Sequence, residues 1–162
     1  MLSGFRVKLD GIEDVTMALT IVSDMVSDLT PFWPAYQEAF FEMERDWFFA
    51  EGRGSWPPKQ KDNGMPILRE SDALFGSLTG DTGGTLYDPH PDFLLLGTTV
   101  TSEDGYPYPS AHHTGAGDLP VREVIPIDEG IITEAFKKPI GLTARAIRNG
   151  WEDLTVPPIG GL

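Results

Sequence analysis

Cysteine is absent from this chain of 162 residues. Its absence excludes disulfides, thiolate zinc sites and cysteine nucleophiles. Long apolar runs are lacking too, since no stretch approaches the roughly 20 residues that a bilayer-spanning helix needs. The first six residues do not form the apolar core of a signal peptide, so we expect the chain to stay in the compartment where it is made.

Basic residues are scarce, with 12 Lys and Arg against 25 Asp and Glu, which gives a formal net charge of −13. A chain of this charge is repelled by nucleic acid and by anionic membranes, which argues against nonspecific binding to either unless a local basic face exists. Hydrophobic residues make up 40% of the chain, a proportion typical of a globular protein. The 18 Gly and 14 Pro indicate long loops and argue against an all-helical bundle.

Apolar side chains recur at helical spacing in three segments, so we predict helices at about 13–29, 31–50 and 129–150. Thr30 followed by Pro31 is typical of an N-cap and a first helical position. In the last helix, Pro139 and Gly141 are expected to introduce a kink or to split it.

Four segments have the pattern of strands: 5–9, 85–88, 93–101 and 119–127. The last contains two prolines, which favour the edge of a sheet. The predicted fold class is α+β, with a mainly antiparallel sheet of about four strands packed against two to three helices, and with long loops. We expect one domain over 1–151 and an extended C-terminal arm over 152–162.

Histidines are the first candidates for catalysis or metal binding. His112 and His113 would point to opposite faces of an extended segment, and His90 lies in a proline-flanked loop. Zinc needs three or four converging ligands, so loop histidines are the favoured interpretation. His113 with Asp118 could imitate a catalytic pair, which leaves a small hydrolase as an alternative, although no motif supplies a nucleophile.

Two further segments have ordinary explanations. The glycine-rich stretch 76–84 has no following lysine and no strand–loop–helix frame, so a flexible loop is favoured over a phosphate site. The carboxylates on and directly after the second predicted helix, Glu42, Glu44, Asp46 and Glu51, are explained by a solvated helix face.

Charge is distributed unevenly along the chain. Residues 131–150 carry four basic side chains against Glu134 alone, a net charge of +3, which leaves −16 for the rest. The four are Lys137, Lys138, Arg145 and Arg148. A basic helix on an acidic body favours docking to an acidic partner. Compensation of the helix dipole would explain Arg145 and Arg148 but not the two lysines, and both interpretations stay open.

Between residues 48 and 125 an ordered series of short motifs resembles the tail-completion (virion morphogenesis) proteins of tailed bacteriophages. The series begins with Phe48-x-x-Glu51-Gly52 and Trp56-x-Pro58. Then follow Pro66-Ile67-Leu68-x-x-Ser71-Asp72-Ala73-Leu74-x-x-Ser77-Leu78 and Leu96-Gly97-Thr98. The series ends with Tyr108-x-x-Ala111-x-His113, with Gly115 or Gly117 after it, and with Leu119-Pro120-Val121-Arg122. Order and spacing carry the resemblance, which covers about half of the chain. Asp72 stands where the family has glycine.

The resemblance implies a structural virion protein and no enzyme: a ring, usually a hexamer, that terminates the tail tube and joins it to the head. Related head-side connectors form rings of twelve, and the sequence leaves both positions open. Implied partners are further copies of the chain, the tail tube protein and neck or head-completion proteins, with DNA passing through an acidic lumen without specific binding. The implied location is the virion tail or neck, assembled in the host cytoplasm.

We expect no catalytic, cofactor-binding or metal-ligating residues and no membrane partner. The residues proposed for contacts between subunits or for docking are Lys137, Lys138, Arg145, Arg148, Arg122, Trp151, Ile159 and Leu162. Aromatic content of 10% and the Pro- and Gly-rich C-terminal end supply anchors for such contacts.

Overall fold

The computed structural model describes residues 20, 23–24, 26–59 and 64–149. The predicted strand 5–9 and arm 152–162 lie outside these residues, as does most of the predicted helix 13–29. The few described residues of that helix up to residue 27 are helical.

After the helical residues up to 27, the described part of the chain contains four α-helices and one hairpin. A 3₁₀ turn, Thr30–Phe32, leads into α1 (Trp33–Phe49). Then follow a second 3₁₀ turn at Gly52–Gly54, α2 (Ala73–Thr79), β1 (Thr85–Pro89), β2 (Leu94–Thr98), α3 (Tyr108–Thr114) and α4 (Glu129–Asn149).

The predicted helices 31–50 and 129–150 are confirmed by α1 and α4. Thr30 does not cap α1 with its side chain, because its hydroxyl donates to the carboxylate of Asp28 at 2.6 Å. The predicted splitting of the last helix is wrong. Helix α4 runs unbroken through Pro139, whose carbonyl accepts a hydrogen bond from the Thr143 hydroxyl at 3.0 Å.

The predicted sheet of about four strands is wrong. In the part of the chain that the structure describes, the sheet has two antiparallel strands, β1 and β2, with Tyr87 opposite Leu96. The strand predictions at 85–88 and 93–101 are confirmed in position, the second with a shorter strand. Residues 119–127 form no strand, because side chains bind the backbone groups that a ladder would use. The Val124 amide donates to His113 Nδ1, and the Glu123 carbonyl accepts from two tryptophans.

The hydrophobic core lies where α1, α2 and the segment before α4 meet. Phe48 is 1% exposed, Leu78 0% and Val124 3%. Aromatic rings dominate it: Phe48 meets Trp56 and Phe75 in edge-to-face contacts, with ring centroids 5.2 and 5.6 Å apart. Burial of these large rings supplies much of the hydrophobic stabilisation.

The turn after α1 allows a test of how tightly Trp56 is packed. Gly52 and Gly54 both have positive φ, +64° and +80°. A Cβ on Gly52 would lie 2.4 Å from Trp56 Cδ1, whereas nothing lies within 4 Å of one on Gly54. Both Gly→Ala substitutions carry the left-handed penalty of about 1 kcal/mol. We expect Gly52→Ala to cost about 1–3 kcal/mol more, because Trp56 must move. Urea unfolding of both variants measures the difference, and equal losses would contradict this packing.

Candidate docking surfaces

The four predicted basic docking residues form one stripe along α4, here called the basic stripe. Lys137, Lys138, Arg145 and Arg148 are all exposed, and the helical period places them within one quarter to one third of the circumference of the helix. Lys137 lies 3.4 Å from Glu134 Oε2, one turn earlier. The other three form no ion pair within the described residues. The structure therefore brings these side chains together and leaves them facing solvent.

The opposite face of α4 packs on α1. Tyr36 and Phe136 stack with ring centroids 5.8 Å apart, and Ala146 is buried beside Phe32. Because this face holds α4 to the core, the basic stripe points away from the interior. Arg148 lies in the last turn, where a cation complements the helix dipole. The two lysines lie in the middle of the helix, so the dipole does not account for them.

Arg122 was predicted to be a docking residue, but it is buried, with 6% of its surface exposed. Its guanidinium donates to the Pro57 carbonyl from Nε at 3.1 Å and from Nη2 at 3.0 Å, and Nη2 also donates to the Pro58 carbonyl at 3.1 Å. Burial lowers the pKa of this guanidinium below its ordinary value. The group is used inside the subunit, where it ties the loop after α1 to the segment after α3.

The segment around Arg122 is held by several side chains at once. Trp47 Nε1 and Trp56 Nε1 both donate to the Glu123 carbonyl, at 2.7 and 3.0 Å. The Arg122 amide donates to the His112 carbonyl at 2.8 Å. These contacts join α1, the loop that follows it, α3 and the segment around Arg122 into one unit.

Residues of the resembling motifs also meet at the hairpin. The hydroxyls of Ser77 and Thr98 lie 2.7 Å apart, which links α2 to the end of β2. Thr85 Oγ1 donates to the Ser77 carbonyl at 2.6 Å. Asp72 has φ +52° and ψ +3°. That is the left-handed conformation that glycine adopts without strain.

His112 and His113 lie on α3, not in an extended segment as predicted. His113 Nδ1 accepts a hydrogen bond from the Val124 amide at 3.2 Å. His112 Nδ1 is buried without a partner, and burial together with the nearby Arg122 charge lowers the pKa of His112. Neither histidine has a carboxylate within ion-pair distance among the described residues, and the lowered pKa of His112 favours its neutral form.

A groove of about 450 Å³ lies between the hairpin and the segment that precedes α4. Its polar side chains are Thr98, Ser110 and His113, and its other lining residues are apolar or glycine. Asp118, the predicted partner of His113, is not among the lining residues. The groove therefore offers His113 no acid for the hydrolase alternative.

No group of three or more metal-ligating side chains occurs among the described residues. His90 lies 3.3 Å from Asp88 and stacks on Phe93 at 4.1 Å. The first part of the glycine-rich stretch 76–84 is not the flexible loop that was predicted. Residues 76–79 belong to α2 and are buried.

Glu44 was attributed to a solvated helix face, and that interpretation is wrong. Its side chain is 0% exposed, and neither carboxylate oxygen has a hydrogen-bond partner. Burial raises its pKa well above the ordinary value, which favours the neutral acid. The sequence does contain the signal, because Glu44 follows Phe40 by four residues and precedes Phe48 by four, on the core face of α1.

Trp151, Ile159 and Leu162, the remaining predicted docking residues, lie outside the described residues. Within the described part of the chain, no helix has the length and apolar character needed to cross a bilayer. Comparison with protein-family models, with curated proteins and with solved structures gives no match.

Proposed function

We propose that this chain is a structural virion protein of a tailed bacteriophage, a subunit of a ring that terminates the tail tube and joins it to the head. In this role it is not an enzyme, and its partners are further copies of itself, the tail tube protein and neck proteins. DNA passes through the ring without specific binding. The proposal rests on the motif resemblance and on how the motif residues are arranged in the fold.

One observation carries the proposal: the motif residues contact one another although they are far apart in the sequence. Arg122 binds the Pro58 carbonyl and that of its neighbour Pro57, and Ser77 binds Thr98. Such contacts give a physical reason for the order and spacing of the motifs, because each piece needs the others for its hydrogen bonds. Asp72 adds to this support, since its positive φ is what a family glycine at that position would require.

The distribution of charge on the chain also favours a ring through which DNA passes. The chain carries −13 overall, so a lumen lined by its acidic surface would repel DNA phosphates rather than hold them. The basic stripe on α4 provides a separate, oppositely charged surface for protein contacts. A terminating ring needs both a passage and contact surfaces.

Electron microscopy of tails assembled with and without the chain tests the proposal. We expect tails of one length that join to heads when the chain is present, and tubes of variable, extended length without heads when it is absent. Mixing purified chain with headless tails should restore joining. Tubes of normal, fixed length that join heads in its absence would overturn the proposal.

A further inference from the structure

The exposed side of the α1–α4 pair carries acidic and basic side chains next to each other. On α1, Glu38, Glu42 and Asp46 are spaced four residues apart and therefore share one face of the helix, here called the acidic stripe. Glu42 and Asp46 are exposed, and Glu38 is half-buried. Lys138 of the basic stripe lies across the groove between the two helices.

Contacts between the helices place the two stripes side by side. Glu38, Glu42 and Lys138 line the same small pocket of about 60 Å³, between Ala39 of α1 and Pro139 of α4. None of these three charged groups forms an ion pair within the described residues. The helices run antiparallel, because Phe32 packs beside Ala146 whereas Tyr36 stacks on Phe136. Arg145 and Arg148 therefore lie level with the start of α1, and Asp46 lies at the opposite end of the pair.

A face with this pattern is complementary to itself. If a second copy is turned by 180° about an axis parallel to the helices, levels along the helices are kept. Lys137 and Lys138 of one copy then face Glu38 and Glu42 of the other, and the reverse, whereas Arg145, Arg148 and Asp46 lie beyond this central match. An isologous contact of this kind uses the same patch on both subunits. Few other charges disturb it, since Glu134 is the one acidic residue within the basic stripe and lies beside Lys137.

An aromatic anchor lies at the end of the same face. Phe49 follows Asp46 by three residues and is 68% exposed, the largest exposed fraction among the large apolar side chains that the structure describes. One side of its ring contacts Phe75 and Arg69. Exposed aromatic rings next to complementary charges are typical of contact surfaces between proteins. The ring would lose its contact with water when a second copy covers it.

We infer that the α1–α4 face pairs with the same face of a second copy of this chain, basic stripe against acidic stripe. This contact goes beyond the proposed function. A ring is closed by two different surfaces on each subunit, whereas this contact is two-fold and joins subunits in pairs. It can be measured with the purified chain alone.

Ionic strength decides whether local attraction or overall repulsion dominates between two copies. Each copy carries −13, so distant charges repel. At about 0.1 M salt the Debye length is about 10 Å, which screens distant charges more than stripes in direct contact. Sedimentation and mass photometry at about 0.1 M salt should therefore show a dimer, and the dissociation constant should rise at about 1 M salt.

Charge exchange between the stripes is the deciding experiment. The first variant carries K137E, K138E, R145E and R148E, and the second carries E38K, E42K and D46K. We expect each variant alone to have a dissociation constant at least about tenfold higher than the unchanged chain. An equimolar mixture of the two should form a heterodimer, because each restores the charges that the other has lost.

Two controls separate docking from folding. Arg53→Glu changes an exposed basic residue outside this face and should leave the dimer unchanged. The neutral set K137Q, K138Q, R145Q and R148Q avoids new repulsion within α4 and should still weaken the dimer. A chain that is monomeric at about 0.1 M salt, or reversed variants that dimerise normally, would overturn the inference. A monomer that still terminates tails would leave the proposed function standing.

Discussion

Replacing Arg122 with methionine is expected to lower the free energy of unfolding by about 3–5 kcal/mol. The guanidinium is 6% exposed and makes three hydrogen bonds to the carbonyls of Pro57 and Pro58. Methionine fills much of the same volume but donates nothing, so two carbonyls lose their charged donor. Urea unfolding monitored by tryptophan fluorescence measures the loss.

Two further variants make the Arg122 result specific. Arg122→Lys keeps the charge but not the planar fork that reaches both carbonyls, so we expect an intermediate loss. Arg53→Met removes an exposed arginine outside the basic stripe, and it should change stability by less than about 0.5 kcal/mol. If Arg122→Met and Arg53→Met lose equal stability, the proposed role of Arg122 inside the subunit is wrong.

Replacing Glu44 with methionine is expected to have the opposite sign and to raise the free energy of unfolding at pH 7 by about 1–3 kcal/mol. The carboxyl is 0% exposed, and both oxygens lack hydrogen-bond partners. Its burial raises its pKa in the folded chain well above the ordinary value of 4.5. Methionine has a similar shape and removes the cost of burying an unpaired polar group.

The pH dependence of the free energy of unfolding provides a second test of Glu44. Because the folded pKa of Glu44 is raised, the folded chain holds a proton that the unfolded chain releases above about pH 4.5. Stability from this group is therefore fully present below pH 4.5 and is lost as the pH rises through the folded pKa. In Glu44→Met this decline should be absent. Glu42→Met, an exposed control on the same helix, should keep it. A Glu44→Met variant that is less stable at pH 7 and keeps the decline would contradict the account.

Helical periodicity made α1 and α4 predictable from the sequence, because both helices bury one continuous apolar face. The hairpin was predictable in position, because β2 is a short, mostly apolar run and β1 follows Gly84 and ends at Pro89. The segment 119–127 was not, because its backbone groups bind His113 Nδ1 and two tryptophan Nε1 atoms. Alternation of apolar residues along a chain does not reveal that side chains will replace the neighbouring strand.

The candidate site was predictable only in part. The exposure of the basic stripe was predictable, because the helical period places its residues on the side of α4 that faces away from the apolar residues. Arg122 was predicted to be a docking residue, but it binds the carbonyls of Pro57 and Pro58, which lie 65 and 64 residues away and which local sequence patterns do not reveal. The role proposed for the acidic stripe of α1 was not predictable, because the sequence does not show that α4 packs beside it.

A cryo-EM reconstruction of the neck of particles that contain this chain is the most direct test of the proposed function. We predict a ring of this chain at the head-proximal end of the tail tube, with six copies on the tail side or twelve on the head side. Acidic side chains should line the passage for DNA, and Arg122 should remain buried within each subunit. Particles whose neck contains no copy of the chain, while heads and tails are joined normally, would contradict the account.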